Sequence, residues 1–97
     1  MERGINTRCL HLEKTEGKTD NYGALSYPIY QTATYAHAGV GKSTGYDYSR
    51  LQNPTREQLE KVVASLEGGI DSFALSSGMA AITLLMEIFK PGDHIIA

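Results

Sequence analysis

"SFALSSGMAAITLLMEIFKPGDHIIA", Ser72 to Ala97, decides how the chain is read. Ser72 to Leu75 is a short apolar run of strand character. Two serines and a glycine follow. Then Ala81, Leu84, Leu85 and Ile88 recur along one helical face, widened by Ile82, Met86 and Phe89. So broad an apolar sector suits a helix packed on a sheet with another element outside it. "KPGD" ends that helix and "HIIA" opens a second strand. Strand, tight turn, helix, turn, strand predicts a βαβ unit, hence an α/β fold with a parallel sheet. Ligands of such sheets bind at the carboxyl ends of the strands.

Upstream lies a second helix signal. Leu59, Val62, Val63 and Leu66 recur at i, i+3, i+4 and i+7 in "NPTREQLEKVVASLEGG". Two caps are open at its start: Asn53 with Pro54 at the first helical position, or Thr55 with Gln58 three residues on. Gly68 and Gly69 supply the stop. Leu25 to Ala36, "LSYPIYQTATYA", is β-prone and aromatic, but Pro28 argues against a central strand. It is expected to form an extended arm lying on another part of the protein or on a partner. Asn6 to Lys14 suits a short helix, and Glu16 to Asn21 is loop-like.

The chain has 97 residues, 41% hydrophobic and 21% charged, with a formal net charge of −2. That balance gives no basic surface for nucleic acid. The longest apolar-rich stretch, Met79 to Phe89, is too short to span a membrane and carries Glu87. The single cysteine, Cys9, forms no internal disulfide, so a reducing, cytoplasmic setting is expected, with Cys9 as a half-buried apolar residue. The ending "GDHIIA" suggests a strand just beginning and the front piece of a longer protein.

Three stretches offer chemistry. The first, "AGVGKSTG", looks like a phosphate loop but fails on context. The first glycine of that motif falls on Ala36, no buried strand precedes it, and "TGYDYSR" does not start a helix. Lys42 is therefore expected to be a solvated loop lysine. The second is Ser76-Ser77-Gly78-Met79, where a strand enters a helix. Free N–H groups and the positive end of the helix dipole make an anion site there, and glycine admits close approach. An ordinary serine cap is the competing reading. The third is "YDYSR", whose alternate residues Tyr46, Tyr48 and Arg50 share a face when extended. Arginine holds phosphate through paired N–H groups, and tyrosine adds a directed hydrogen bond. The alternative is a surface arginine among packed tyrosines. His11, His37 and His94 lack metal-ligand spacing, so no metal site is expected.

In order, "PIYQTATY", "YDYSRLQNPTREQLEKVVASLEGG", "SSGMAAI" and "KPGDHII" resemble the pyridoxal 5'-phosphate (PLP) enzymes of Cys/Met metabolism. This is the fold-type I group of cystathionine synthases and lyases and O-acetylhomoserine thiolyases. The resemblance implies an N-terminal arm over residues 1–45 that packs on a neighbouring subunit. It implies that residues 46–97 start an aspartate-aminotransferase-like PLP-binding domain. It assigns Ser77, Gly78 and Met79 to the cofactor phosphate at the helix start. Tyr48, Ser49 and Arg50 are assigned to the phosphate of the neighbouring subunit's PLP. The expected assembly is a homodimer or homotetramer with shared active sites.

The substrate implied is a small sulfur amino acid or an activated homoserine. The reaction implied is trans-sulfuration in methionine and cysteine biosynthesis. A γ-replacement transferase ranks first; a β- or γ-eliminating lyase is the alternative. The covalent PLP lysine, the aspartate at the pyridine nitrogen and the stacked aromatic ring match no position here. Lys14, Lys18, Lys42, Lys61 and Lys90 lie in other motifs. No catalytic residue is therefore expected in these 97 residues, and the piece alone is expected to be inactive.

Overall fold

Asn53 sets the start of the central helix in the computed structural model, which describes residues 3–11, 22 and 24–97. The helices are α1, Ile5–Leu10, α2, Pro54–Glu67, and α3, Gly78–Met86. Of the two caps open for α2, Asn53 takes the role. Its side-chain oxygen accepts the Thr55 N–H at 2.9 Å, and Pro54 occupies the first helical position, where no N–H is needed. Gly68 ends the helix in the left-handed region, φ 69°, as glycine does most readily. The Thr55 hydroxyl is left for another task. It donates to the Pro28 carbonyl at 3.1 Å and accepts the Tyr30 N–H at 2.9 Å.

Those bonds fix the expected arm in part onto its own chain. Asn53 Nδ2 donates to the Tyr30 carbonyl at 3.1 Å. A single antiparallel bridge joins Thr34 to Tyr48, with the Tyr35 N–H on Asp47 O at 3.2 Å and the Ser49 N–H on Ala33 O at 2.8 Å. Pro28 is compatible with this arrangement because no ladder hydrogen bond is asked of it.

α1 is shorter than the predicted Asn6 to Lys14. It begins at Ile5 and is capped at His11; residues 12–14, and the loop expected from Glu16 to Asn21, lie outside the described residues. Packing on α2 holds α1 in place, where the Arg8 guanidinium donates to the Ser65 carbonyl and lies 3.4 Å from Ser65 Oγ. Cys9 is exposed, not half-buried. A helix of under two turns docked on one neighbour covers only part of its surface.

α3 is also shorter than its apolar pattern. The Glu87 N–H is shared among the carbonyls of Thr83, Leu84 and Leu85, and Ile88 and Phe89 then make i→i−3 bonds. The last turn thus tightens and the helix stops. Lys90-Pro91-Gly92-Asp93 forms the turn its composition predicts. Asp93 N–H reaches Lys90 O at 3.0 Å, and Gly92 takes φ 101°.

Among the described residues no parallel sheet is formed. Residues 71–75 and 93–97 carry no strand pairing, and the Thr34–Tyr48 bridge is the isolated pairing among the described residues. A helical crossover does not oblige the two strands it joins to be neighbours. An extended segment without a partner gains no ladder hydrogen bonds. Residues 72–74 are held by α2 instead: the Ser72 hydroxyl donates to Glu60 O at 2.6 Å, and the Ala74 N–H to Glu60 Oε1 at 2.9 Å.

The predicted apolar faces accordingly stay open. Ala64 is the buried hydrophobic residue among those described, whereas Leu59 is 55% and Ile82 49% exposed. The radius of gyration is 17.1 Å, against about 13 Å for a closed domain of this length.

Candidate functional site

Ser77 opens α3 in extended conformation, and its Oγ accepts the Ala80 N–H at 3.1 Å. The serine cap is therefore real, and it is compatible with the anion reading. The cap satisfies the amide of Ala80, and the Ala81 N–H returns to Ser77 O at 3.1 Å. The amides of Gly78 and Met79 have no hydrogen-bond partner among the described residues. Two donors thus stand free at the positive end of a helix. A Cβ at Gly78 would meet nothing within 4 Å, and its φ is not left-handed. Neither backbone strain nor a neighbour in this chain calls for glycine there. Space beside Gly78 is open, and Met79 is 69% exposed.

The second cluster sits on the turn before α2. Leu51 and Gln52 N–H both return to Tyr48 O at 3.0 Å. The Arg50 guanidinium donates to the Tyr48 phenol oxygen at 3.2 Å and lies 5.1 Å from the centre of its ring. The expected pairing of these two residues on one face is present. A cation over an aromatic ring is held in orientation while its other N–H groups remain free.

Tyr46 does not join them, contrary to the face-sharing pattern. Its phenol donates to Glu57 Oε2, and its ring lies 5.6 Å from that of Tyr35. The hydrogen bond to Glu57, with burial, raises the Tyr46 phenol far above its ordinary value. Hydrogen bonds from Lys61 and then Tyr46 lower the Glu57 carboxyl below its ordinary value. Strict alternation fails because the chain bends at Asp47, between Tyr46 and Tyr48, and then turns after Tyr48.

Ser49 faces inward. Its hydroxyl donates to Thr32 O and accepts from Asn53 Nδ2 at 3.0 Å. That hydroxyl braces the turn, as the Ser49 N–H on Ala33 O at 2.8 Å does from the backbone.

Two residues escaped the sequence reading. Arg56 Nη1 donates to Ser49 O at 3.1 Å and to Arg50 O at 3.4 Å, and its Nη2 donates to Leu51 O. Its Nε lies 3.7 Å from Glu60 Oε1. Their i, i+4 spacing one turn into a confidently read helix was the available signal; what Arg56 reaches was not. A groove beside them is lined by Arg50, Asn53, Arg56, Glu60, Phe73 and Leu75, but not by Ser77, Gly78 or Met79.

"GVGKS" contributes no phosphate loop. Gly41 turns at φ 72°, no helix follows, and the Ser43 hydroxyl donates to Asp47 Oδ1 at 2.6 Å. His37 Nε2 meets the same oxygen at 2.8 Å. No helix among the described residues is long and apolar enough to cross a membrane.

Comparison with known proteins gives the family. The family model for Cys/Met metabolism PLP-dependent enzymes matches residues 6–97. The cystathionine β-lyase of Lactococcus lactis subsp. cremoris is 49% identical over 92 residues, covering 95% of this chain and 24% of its own. The probable cystathionine γ-synthase of Herpetosiphon aurantiacus is 46% identical over 97 residues, covering 99% of this chain and 30% of its own. A crystal structure of cystathionine γ-synthase from Xanthomonas oryzae pv. oryzae, in complex with aminoacrylate and cysteine, superimposes with a TM-score of 0.78. It is 33% identical and covers 96% of this chain and 24% of its own. The chain spans about a quarter of the length of the first of these relatives. With the free α3 amides and the Tyr48–Arg50 pair in place, the match over nearly its whole length shows that this chain belongs to the Cys/Met metabolism family of PLP-dependent enzymes.

Proposed function

We propose that this chain is the N-terminal part of a PLP-dependent trans-sulfuration enzyme and carries two half-sites for the cofactor phosphate. The observation that carries this is the pair of unpartnered amides at Gly78 and Met79, at a glycine for which the chain itself has no use. The donor set suits a phosphate monoester: two backbone N–H groups, the Ser77 hydroxyl hydrogen, and a guanidinium steadied by a phenol.

Gly78 and Met79 hold the phosphate of their own subunit's PLP. Tyr48 and Arg50, braced by Ser49, reach the phosphate of the neighbouring subunit's. Residues 1–45 then serve as an arm on that neighbour, and residues 46–97 begin the cofactor-binding domain. The unit of function is at least a homodimer, with a tetramer of two dimers as the full cytoplasmic assembly. When bound, PLP supplies an electron sink for the pair left on the substrate α-carbon. The residues of this chain orient the cofactor and neutralise its phosphate charge.

The substrate is a sulfur amino acid or an activated homoserine. Replacement at the γ-carbon, as in cystathionine γ-synthase and O-acetylhomoserine thiolyase, is the first reading, supported by the 0.78 superposition on a γ-synthase. Elimination is the second, supported by the 49% identity to a β-lyase.

The full-length Arg50→Ala enzyme tests the site. Loss of a charge-assisted contact worth roughly 1.5–3 kcal/mol predicts PLP binding weakened by about tenfold or more. Mixing these subunits with Gly78→Val subunits tests the sharing. One site per mixed dimer regains both halves, so PLP retention and activity recover in that fraction. Unchanged PLP affinity overturns the role of Arg50, and failure to recover on mixing places the arm on its own subunit.

A further inference from the structure

Arg56 and Glu60 face two elements at once. On one side, Arg56 donates to three successive carbonyls, those of Ser49, Arg50 and Leu51, which form the turn presenting Tyr48 and Arg50. On the other side, Glu60 accepts the Ala74 N–H at 2.9 Å, on the segment that leads into Ser77 and Gly78. The Glu60 backbone carbonyl also takes the Ser72 hydroxyl at 2.6 Å. Arg56 Nε and Glu60 Oε1, 3.7 Å apart, join the two sides across one helical turn.

We infer that Arg56 and Glu60 are positioning residues that hold the Tyr48–Arg50 turn in register with the segment feeding the α3 N-terminus. The inference rests on the phosphate roles proposed above. Three carbonyls turned toward one guanidinium fix the backbone of residues 49–51. With that backbone fixed, the Arg50 side chain leaves it in one direction. Without Arg56 the three carbonyls hydrate, the turn samples other conformations, and the Arg50 guanidinium must be ordered when the phosphate binds. The cost of that ordering falls on cofactor affinity. Glu60 serves the same end from the other side. Its carboxylate keeps Arg56 extended toward the turn and pins Ala74, so the two phosphate-binding elements share one rigid helical turn of α2. Because one element serves the chain's own cofactor and the other its neighbour's, this link also ties together two active sites.

A double-mutant cycle in the full-length holoenzyme tests it, with PLP affinity read from cofactor absorbance on dialysis and the melting temperature of the apoenzyme read separately. Arg56→Gln is expected to weaken PLP binding roughly tenfold, at the lower end of a lost charge-assisted contact. Added to Arg50→Ala, it should weaken binding no further, because Arg56 acts through Arg50. Arg56→Lys, which keeps the charge but loses the fork, should resemble Arg56→Gln. Additive losses in the double variant, or an Arg56→Gln enzyme with unchanged PLP affinity, overturn the inference while Arg50→Ala alone still upholds the phosphate site. If Arg50→Ala leaves PLP affinity unchanged, the phosphate reading falls and the inference with it. Should Arg56→Gln subunits not assemble, Glu60→Gln takes their place. It keeps an acceptor for the Ala74 N–H but loses the ion pair, and the same non-additivity with Arg50→Ala decides.

Discussion

The Arg50 guanidinium donates to the Tyr48 phenol at 3.2 Å while lying 5.1 Å from the centre of the same ring. One tyrosine thus steadies the cation by two means, a hydrogen bond and the negative face of its ring. Tyr48→Phe separates them. The ring contact survives and the hydrogen bond does not. PLP affinity in the full-length enzyme should fall by less than in Arg50→Ala, and the Tyr48→Ala enzyme should fall further than Tyr48→Phe. Equal losses in the two tyrosine variants would show that the ring contributes nothing.

Asn53 serves three partners with one amide. Its oxygen caps α2 through Thr55 N–H, and its nitrogen reaches Tyr30 O at 3.1 Å and Ser49 Oγ at 3.0 Å. Asn53→Ala should cost more than the ~1 kcal/mol of a lost cap, because it also frees the arm and the turn. Asn53→Asp keeps the capping oxygen and loses both donors. Its melting temperature in the full-length protein should lie between those of wild type and Asn53→Ala.

Two glycines should behave in opposite ways. Gly68 sits at φ 69°, where a side chain is strained, so Gly68→Ala should destabilise the fold by roughly 1 kcal/mol. Gly78 has open space and an ordinary φ. Gly78→Ala should leave the melting temperature of the apoenzyme unchanged or slightly raised, yet weaken PLP binding. Thermal melts beside cofactor titrations check both. A loss of apoenzyme stability in Gly78→Ala equal to that in Gly68→Ala would remove the case for close approach by a ligand.

Glu57 gives the fold an acid-sensitive contribution. Its carboxyl is lowered from the ordinary 4.5 by Lys61 and Tyr46, so it binds protons more weakly folded than unfolded. Its contribution is present above about 4.5 and is lost as pH falls below that, through the lowered folded value. Tyr46 works in the other direction. Its phenol is raised above the ordinary 10.0, so its contribution is complete below pH 10 and fades as pH climbs beyond. Denaturant unfolding of the full-length apoenzyme against pH should show both edges. Glu57→Gln should flatten the acid one, and an unaltered acid slope would contradict the assignment.

Much of the local structure is legible in the residues. Asn53-Pro54 and Gly68 bracket α2 where the pattern places them, and the Lys90-Pro91-Gly92-Asp93 turn forms as written. Tyr48 and Arg50 meet as expected, but on a turn rather than along an extended face. Tyr46 misled because alternation holds only while a segment stays extended, and the chain bends at Asp47. The bracing role of the Ser49 hydroxyl, on Thr32 O and Asn53 Nδ2, is not written in the motif. Beyond its i, i+4 spacing to Glu60, nothing in the pattern singles out Arg56, since no spacing rule says which distant carbonyls a long side chain will meet.

The sequence by itself determined the helices, their caps, the turn chemistry and the family, because each rests on contacts within a few residues or on a spaced pattern of side chains. Only the tertiary structure decided that Asn53, Thr55 and Arg56 gather the arm and the Tyr48–Arg50 turn, and that Glu60 holds the Ser72–Ala74 segment, around the first turns of α2. It also decided that the two strand-like segments stay unpaired and the apolar face of α3 stays open. The physical reason is the same throughout: propensity and capping act along the chain, whereas a ladder or a core exists only when a partner from elsewhere is in place to share its hydrogen bonds and exclude water.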